Sequence, residues 1–497
     1  MRLRASSHGD SHASMRLGVI AGLFGGLVLL GSGCGGSETA GSGAAAIVPA
    51  GVPAFVAVDA DPDSSQWKTV NELASRFPDK QKAVDAIKKD MRNEGLDWDR
   101  DVKPALGSEL DVVWLDFANG GENIVGLMKP GDDAAFARAI KKSNAKNPTD
   151  KLFYEKFHGW TVMSDKQALV DRFESMSERA NETLDQDPTF TKAMRSTPDD
   201  ALLKGYVDGR KVMDEVNRQT TPDERKFVRQ LGSLDWATVS LAASSDGVAL
   251  DTTVHGTLGK LFHKGASPQP FAAKLPNRVP KDAVLYLTFH GTKGLLSGLK
   301  NNPTLSSPEL GPVVEVLGEI GNLLQGENAL YVRPASGGFP EVTLVAEPKA
   351  GLSGRATLDR IINRFHSDLG VRPRHGTVAG TPASTLGFGD FAVHYADVDG
   401  KLVVTDLPAG IAGVKQPGKP LAQSATYEDA LQASGMPSKT HGFLYVDIRA
   451  GTGLVEKLSG ERLPAEIGRN LKPLRSAVEY AVSRQHQLSI RFFLRVK

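Results

Sequence analysis

Along this chain, stretches of alternating apolar and polar residues trade places with stretches where apolar residues recur every three or four positions. Residues 52–59, Val-Pro-Ala-Phe-Val-Ala-Val-Asp, alternate after a proline and predict a strand. Asp61 and Ser64 follow as candidate helix N-caps. Trp67, Val70, Leu73, Ala74 and Phe77 then recur at helical spacing until Pro78 ends the run. A second helix is expected through Val84, Ile87 and Met91, closed by Gly95, and residues 96–107 read as a turn-rich link. Residues 110–117 and 124–128 predict a hairpin across Asn119-Gly120-Gly121. A helix near 132–142 comes next, then a second hairpin, 153–157 with 160–163, across His158-Gly159.

The second half runs through the same order. Val279-Pro280 leads a strand at 283–289, and Val313, Val316, Leu317, Ile320, Leu323 and Leu324 mark an amphipathic helix. Strands at 329–332 and 341–346 flank Gly337-Gly338, as the earlier pair flanks Gly120-Gly121. Lys129-Pro130 is echoed by Glu347-Pro348, and the run from His158 to Asp165 by the run from Asp399 to Asp406. Phe190 before a short helix matches Tyr427, and Tyr206-Val207-Asp208 matches Tyr445-Val446-Asp447. Each half closes on two strands, 237–243 with 248–254 and 478–482 with 488–496. So long a period means two whole domains rather than a solenoid. The expected fold class is α+β, a tandem duplication of a domain whose mainly antiparallel sheet is covered by helices, because hairpins lack the crossovers a parallel sheet needs. Helices are expected on one face of each sheet.

The N-terminus sets an address. Arg2, Arg4 and Arg16 precede an apolar run of fourteen residues, 17–30, broken only by glycines. That is too short to span a bilayer at about 20 residues and suits a signal-peptide core of about 7–15. Gly31-Ser32-Gly33 and then Cys34, the one cysteine of the chain, resemble a bacterial lipoprotein signal, with Gly31 where a leucine is usual. The resemblance implies that Cys34 carries lipid, and two acyl chains would give stable anchoring. The segments expected are therefore a signal peptide at 1–33, a flexible tether at 34–46, repeats at 47–260 and 275–497, and a linker at 261–274.

Composition changes little in this picture. With 40% hydrophobic and 24% charged residues the mature chain reads as globular. One cysteine allows no internal disulfide. Net charge is +1, yet residues 35–270 carry 30 Lys+Arg against 37 Asp+Glu, whereas 271–497 carry 26 against 20. The basic half could face its acidic neighbour or an anionic membrane surface. No basic run is interleaved with aromatics, which argues against a nucleic-acid partner.

Phe77-Pro78, Gly95-Leu96-Asp97 and the run Asp101-Val102-Lys103-Pro104-Ala105-Leu106-Gly107 with Glu109 resemble an uncharacterised family of bacterial, largely actinobacterial, envelope lipoproteins known as a domain of unknown function. The resemblance implies extracytoplasmic location and assigns no functional residues.

Candidate chemistry is sparse. Asp59, Asp61 and Asp63 have the one-three-five spacing of a calcium loop, but Ser64 and Val70 stand where that loop needs Gly and Glu. Helix capping explains the cluster as well. Ser65-Gln66-Trp67-Lys68 matches Ser-x-x-Lys without the partner motifs of penicillin-recognising enzymes. All five tryptophans, Trp67, Trp98, Trp114, Trp160 and Trp236, lie in the first half, as core or as walls of an apolar site. The sequence therefore points to no catalytic residue, metal or cofactor. It leads to the expectation of a lipid-anchored extracytoplasmic protein of non-catalytic binding or structural role, its partners a membrane through the anchor and an apolar small molecule or envelope protein. The alternative is a cell-wall or lipid hydrolase whose residues converge only in three dimensions.

Overall fold

A computed structural model describes residues 43–222, 225, 232–258, 269–291, 318–336, 339–365 and 370–497. The signal segment 1–33, Cys34 and most of the tether lie outside the described residues, as do 261–268 of the linker, Gly337-Gly338 and Val313, Val316 and Leu317 of the expected helix. The chain divides into two compact units. One takes the residues up to Gln219 with Asp235–Thr253, the other Thr220–Leu234 with Val254–Lys497. Each is α+β and built on an antiparallel sheet.

In the first unit β1 (Ala54–Asp59) lies between β2 (Glu109–Trp114) and β6 (Leu203–Asp208), antiparallel to both. Outward from β2 come β3 (Ile124–Met128), β5 (Trp160–Ser164) and β4 (Phe153–Phe157). Outward from β6 come β7 (Gly232–Ser244) and then β8 (Gly247–Leu258), of which Asp235–Ser244 and Gly247–Thr253 count in this unit. The hairpin between β4 and β5 turns on His158 and Gly159, both with positive φ (46° and 81°), the two-residue turn whose twist suits paired strands.

Helices cover both faces of this sheet, not the one face expected. Phe55, Val113, Leu127, Val162 and Tyr206 point to one side, where α4 (Gln167–Arg179) and α5 (Pro188–Met194) close the core with Val170, Phe173 and Phe190. Leu110, Met128 and Met163 point to the other, under Phe136 and Ile140 of α3 (Asp133–Lys146). Neighbouring positions such as Leu110 and Val113, or Val162 and Met163, are apolar on opposite faces, so a one-sided sheet would leave half of them in water. Two helices follow β1, as the spacing predicts: α1 (Ser65–Ser75), capped by the Ser64 hydroxyl accepting the Trp67 N–H, and α2 (Lys80–Asn93). α6 (Gly209–Gln219) follows β6. Ala44–Ala46, counted above with the tether, form a helical turn with Ala44 and Ala45 buried in the Phe55 core, so the packed domain starts by Ala44.

The motif at 97–107 is scaffold. Asp97 accepts the Arg100 N–H at 3.0 Å, and the buried Asp101 accepts the Asp97 N–H at 3.0 Å and pairs with Lys142 of α3. At Gly107 a Cβ would stand 1.8 Å from the Lys129 carbonyl oxygen, so only glycine fits.

In the second unit β9 (Leu285–His290) lies between β10 (Glu327–Arg333) and β16 (Gly442–Asp447). Beyond β10 come β11 (Glu341–Ala346), β15 (Lys401–Thr405), β14 (Phe391–Val398), β13 (Thr381–Phe388) and the exposed edge strand β12 (Arg374–Val378). Beyond β16 come β17 (Leu474–Arg484) and β18 (Gln487–Val496). The helices are α7 (Gly354–Arg364), α8 (Pro408–Lys415), α9 (Ala425–Ser434), α10 (Ile448–Ser459) and α11 (Ala465–Leu471). α8 and α9 close one core over Tyr286, Tyr331, Val403 and Tyr445, and α7 packs a second over Ala346, Tyr395 and Leu402.

Candidate functional site

A cavity of about 290 Å³ opens in the second unit between α9, the segment leading into the domain, and β16. α9 ends on Gly435, whose φ of 68° lets the Met436 N–H return to the Leu431 carbonyl, and this turn sends Met436-Pro437-Ser438 across one side. Opposite, Phe271 and Thr440 exchange both backbone hydrogen bonds, at 2.8 and 3.1 Å, and hold Phe271–Ala273 as the facing wall. The same segment is pinned below by Glu327, whose carboxylate accepts the N–H groups of Lys274 and Leu275 at 2.9 Å. Burial pushes the Glu327 carboxyl up, and these two backbone donors hold it down against that.

The back wall is aromatic. Tyr427 and Leu431, four residues apart on α9, face the cavity together with Phe443 of β16. Tyr427 meets Tyr445 and Tyr286 edge-on, with centroids 5.1 and 6.4 Å away, and burial pushes its phenol far above the usual range, so the ring is neutral. Gln432, Ser438 and Thr440 are the polar side chains of the lining, and no charged side chain takes part. At about 30 Å³ per water the space suits roughly ten waters or a short apolar group. Among the described residues its hydroxyls, on Tyr427, Ser438 and Thr440, have no histidine, lysine or carboxylate beside them in the lining.

The residues singled out in the sequence do not meet there. Asp61 N–H and Asp63 N–H bond to Asp59 Oδ1 and Asp61 Oδ1 at 3.0 and 2.9 Å, so these side chains cap local turns. Among the described residues no three His, Cys, Asp or Glu gather as metal ligands. Ser65 is exposed at the start of α1. The tryptophans are dispersed: Trp160 and Trp236 in the Phe55 core, Trp98 in a cluster with Met91 and Val102, and Trp67 buried against β1, so they share no wall.

Two groupings have the residue types of catalysis. Asp111 of β2 is fully buried, and neither of its carboxyl oxygens has a hydrogen-bond partner among the described residues. Burial, and then the Glu109 charge two residues along, push its carboxyl well above the usual range. Asp59, opposite Glu109 across the β1–β2 pair, is pushed up to about 6, chiefly by burial. In the second unit His375 Nδ1 lies 3.2 Å from Ser384 Oγ and 3.8 Å from Asp359 Oδ2. One ring nitrogen faces both partners, whereas a proton relay needs one nitrogen for each. Ser384 is also fully buried, and Asp359 accepts the Tyr395 hydroxyl at 2.7 Å, so the grouping ties strands to α7.

Of the cavity's lining only Tyr427 stands out in the sequence, as a repeat landmark. Its facing wall comes from the segment expected to be linker, and no periodicity marks that. No family model and no curated protein matches the chain. Among solved structures, the TP0453 chain of crystal form IV is similar at 18% identity over 45% of this chain and 79% of its own, with a TM-score of 0.27.

Proposed function

We propose that this chain is an extracytoplasmic lipoprotein, anchored through Cys34 at the outer face of the cytoplasmic membrane, and that it binds a small uncharged apolar molecule without catalysis. The observation that carries the binding role is the lining of the Tyr427 cavity: aromatic and aliphatic walls, three neutral polar side chains and no charge. An ionised ligand would lose its water there without meeting an opposite charge among the described residues, which costs several kcal/mol. Titration with the neutral fluorescent probe N-phenyl-1-naphthylamine tests this. Saturable binding is expected, displaced by octanol and not by octanoate at neutral pH, and lost in Leu431→Trp, which fills the cavity. Equal binding by a folded Leu431→Trp protein would remove the cavity from the reading.

We also infer that the chain is a tandem duplication, with packed repeats that begin by Ala44 and by Phe271. Its support is the strand order. The first sheet runs β4-β5-β3-β2-β1-β6-β7-β8, and the second runs β14-β15-β11-β10-β9-β16-β17-β18 beyond its added β12 and β13. Register agrees residue by residue: Phe55 pairs with Tyr206 and Tyr286 with Tyr445, while Asp59 pairs with Glu109 and His290 with Glu327. The second reading, a hydrolase, is favoured by Asp59 and Asp111, two carboxyls with raised pKa on neighbouring strands. It requires substrate to reach Asp111, and that side chain is sealed from solvent.

A further inference from the structure

Strands β12 and β13 have no counterpart in the first sheet, and they support an exposed tip. Phe388 ends β13 and Phe391 opens β14; they are 44% and 52% exposed, with ring centroids 6.5 Å apart. Gly389 between them has a φ of 65° and nothing within 4 Å of where a Cβ would stand, so the turn projects into open space. Two phenyl rings held side by side in water are apolar surface that the fold leaves unburied.

The flank of this tip is basic. Arg374 pairs in register with Thr385, and its guanidinium lies over Gly387, next to Phe388, where a Cβ would stand 2.9 Å from its Nη2. Arg372 precedes it by two residues. Neither arginine has a carboxylate partner among the described residues, in contrast to Arg355, Arg360 and Arg364, which pair with Asp359 and Glu319. Asp390 is the acid within the turn, and His375 is occupied by Ser384. Residues 271–497 carry 26 Lys+Arg against 20 Asp+Glu, so the surrounding field is positive as well.

We propose that the Phe388–Phe391 tip is a docking site for an anionic lipid surface, with the rings at the headgroup–acyl boundary and Arg372 and Arg374 on lipid phosphates. Aromatic rings settle at that boundary, and basic side chains gain there from the negative surface potential. The proposal is independent of the cavity and of acylation. Flotation with vesicles of phosphatidylcholine, alone or mixed with phosphatidylglycerol, tests it on the chain from Gly35 onward, which has no acyl group and keeps every described residue. The protein is expected to float with the anionic vesicles and not with the neutral ones. Phe388→Ser/Phe391→Ser and, separately, Arg372→Glu/Arg374→Glu should each reduce binding roughly ten-fold or more. Arg462→Glu/Lys472→Glu, the same charge change at exposed positions elsewhere in the unit, should leave most of it. Unchanged melting temperatures keep the comparison one of binding. Absence of binding to anionic vesicles, or an equal loss in the control pair, overturns the proposal.

Discussion

Trp67 donates its indole N–H to the Asp59 carbonyl at 2.8 Å, tying the first turn of α1 to the end of β1. The side chain is 4% exposed, so it is core and anchors the strand-to-helix connection. Trp67→Ala should cost about 3–5 kcal/mol of stability in chemical denaturation. Trp67→Phe should cost less, about 1–2 kcal/mol, mainly by leaving that carbonyl without its donor. Because every tryptophan precedes residue 271, saturating the Tyr427 cavity should leave intrinsic tryptophan emission where it was. A ligand-induced shift would move the binding site back into the first unit.

The same corner shows what could be read in advance. Ser64 as N-cap, the run from Trp67 and the turns at Gly120-Gly121 and His158-Gly159 depend on residues close in sequence, and each formed where local chemistry asks for it. The second helical layer is not legible there, because Leu110 and Val113 face two different cores and only the packed fold shows what covers each. Strands β12 and β13 were also missed. β12, with Arg374, His375 and Gly376, lacks the β-branched alternation of a buried strand, as an exposed edge permits, and β13 buries small or polar residues, Ala383 and Ser384, that give no apolar alternation. Asp111 carries no unusual mark in the sequence, since its perturbation comes chiefly from burial, which only the packed fold creates.

Asp111 should make stability depend on pH with a defined sign. Its folded pKa lies above its unfolded value, so the native state holds the extra proton and stability falls as pH rises from about 4. Asp59, raised to about 6, adds to the same fall between pH 4 and 6. Asp111→Asn cannot ionise. Urea midpoints should show it more stable than the native protein by at least about 1 kcal/mol at pH 7, with the gap closing toward pH 4. The difference between the two proteins cancels the titrating groups that do not interact with Asp111, and Glu109, its coupled neighbour, titrates with it. A gap that widened on acidification would mean that Asp111 is ionised in the fold.

Ala379 turns β12 into β13 with a φ of 48°, a conformation that L side chains rarely adopt, and Gly380 follows at 69°. Asparagine tolerates this region far better and would create the favoured Asn-Gly turn. Ala379→Asn should therefore raise stability by about 0.5–1 kcal/mol. The thermal midpoint should rise correspondingly; a fall would mean that the turn adopts another form in solution.

Cys34 is the sole thiol of the chain, so its role can be tested without background. In a cell fractionation the native protein should partition with the membrane and incorporate labelled palmitate. Cys34→Ser should lose the label altogether, whatever becomes of its signal segment. Persistent labelling of the serine variant would place the lipid elsewhere and remove the proposed anchor.

The duplication predicts that the chain can be divided. Among the described residues the first unit's clusters draw on positions from Ala44 to Trp236, and the second's on positions from Ala273 to Val482, with no residue shared. A cut between 260 and 261 therefore separates whole cores, and a domain with its own core can fold alone. Fragments 43–260 and 261–497 should each unfold in one cooperative thermal transition and show native-like near-ultraviolet circular dichroism. The second fragment bears most on function, because it contains the Tyr427 cavity complete, including Phe271–Ala273. It should bind N-phenyl-1-naphthylamine with the affinity of the whole chain. Failure of both fragments to melt cooperatively would mean that the halves depend on one another, and the domain boundary would then be wrong. A fragment 261–497 that folds but no longer binds would keep the duplication and reject the cavity.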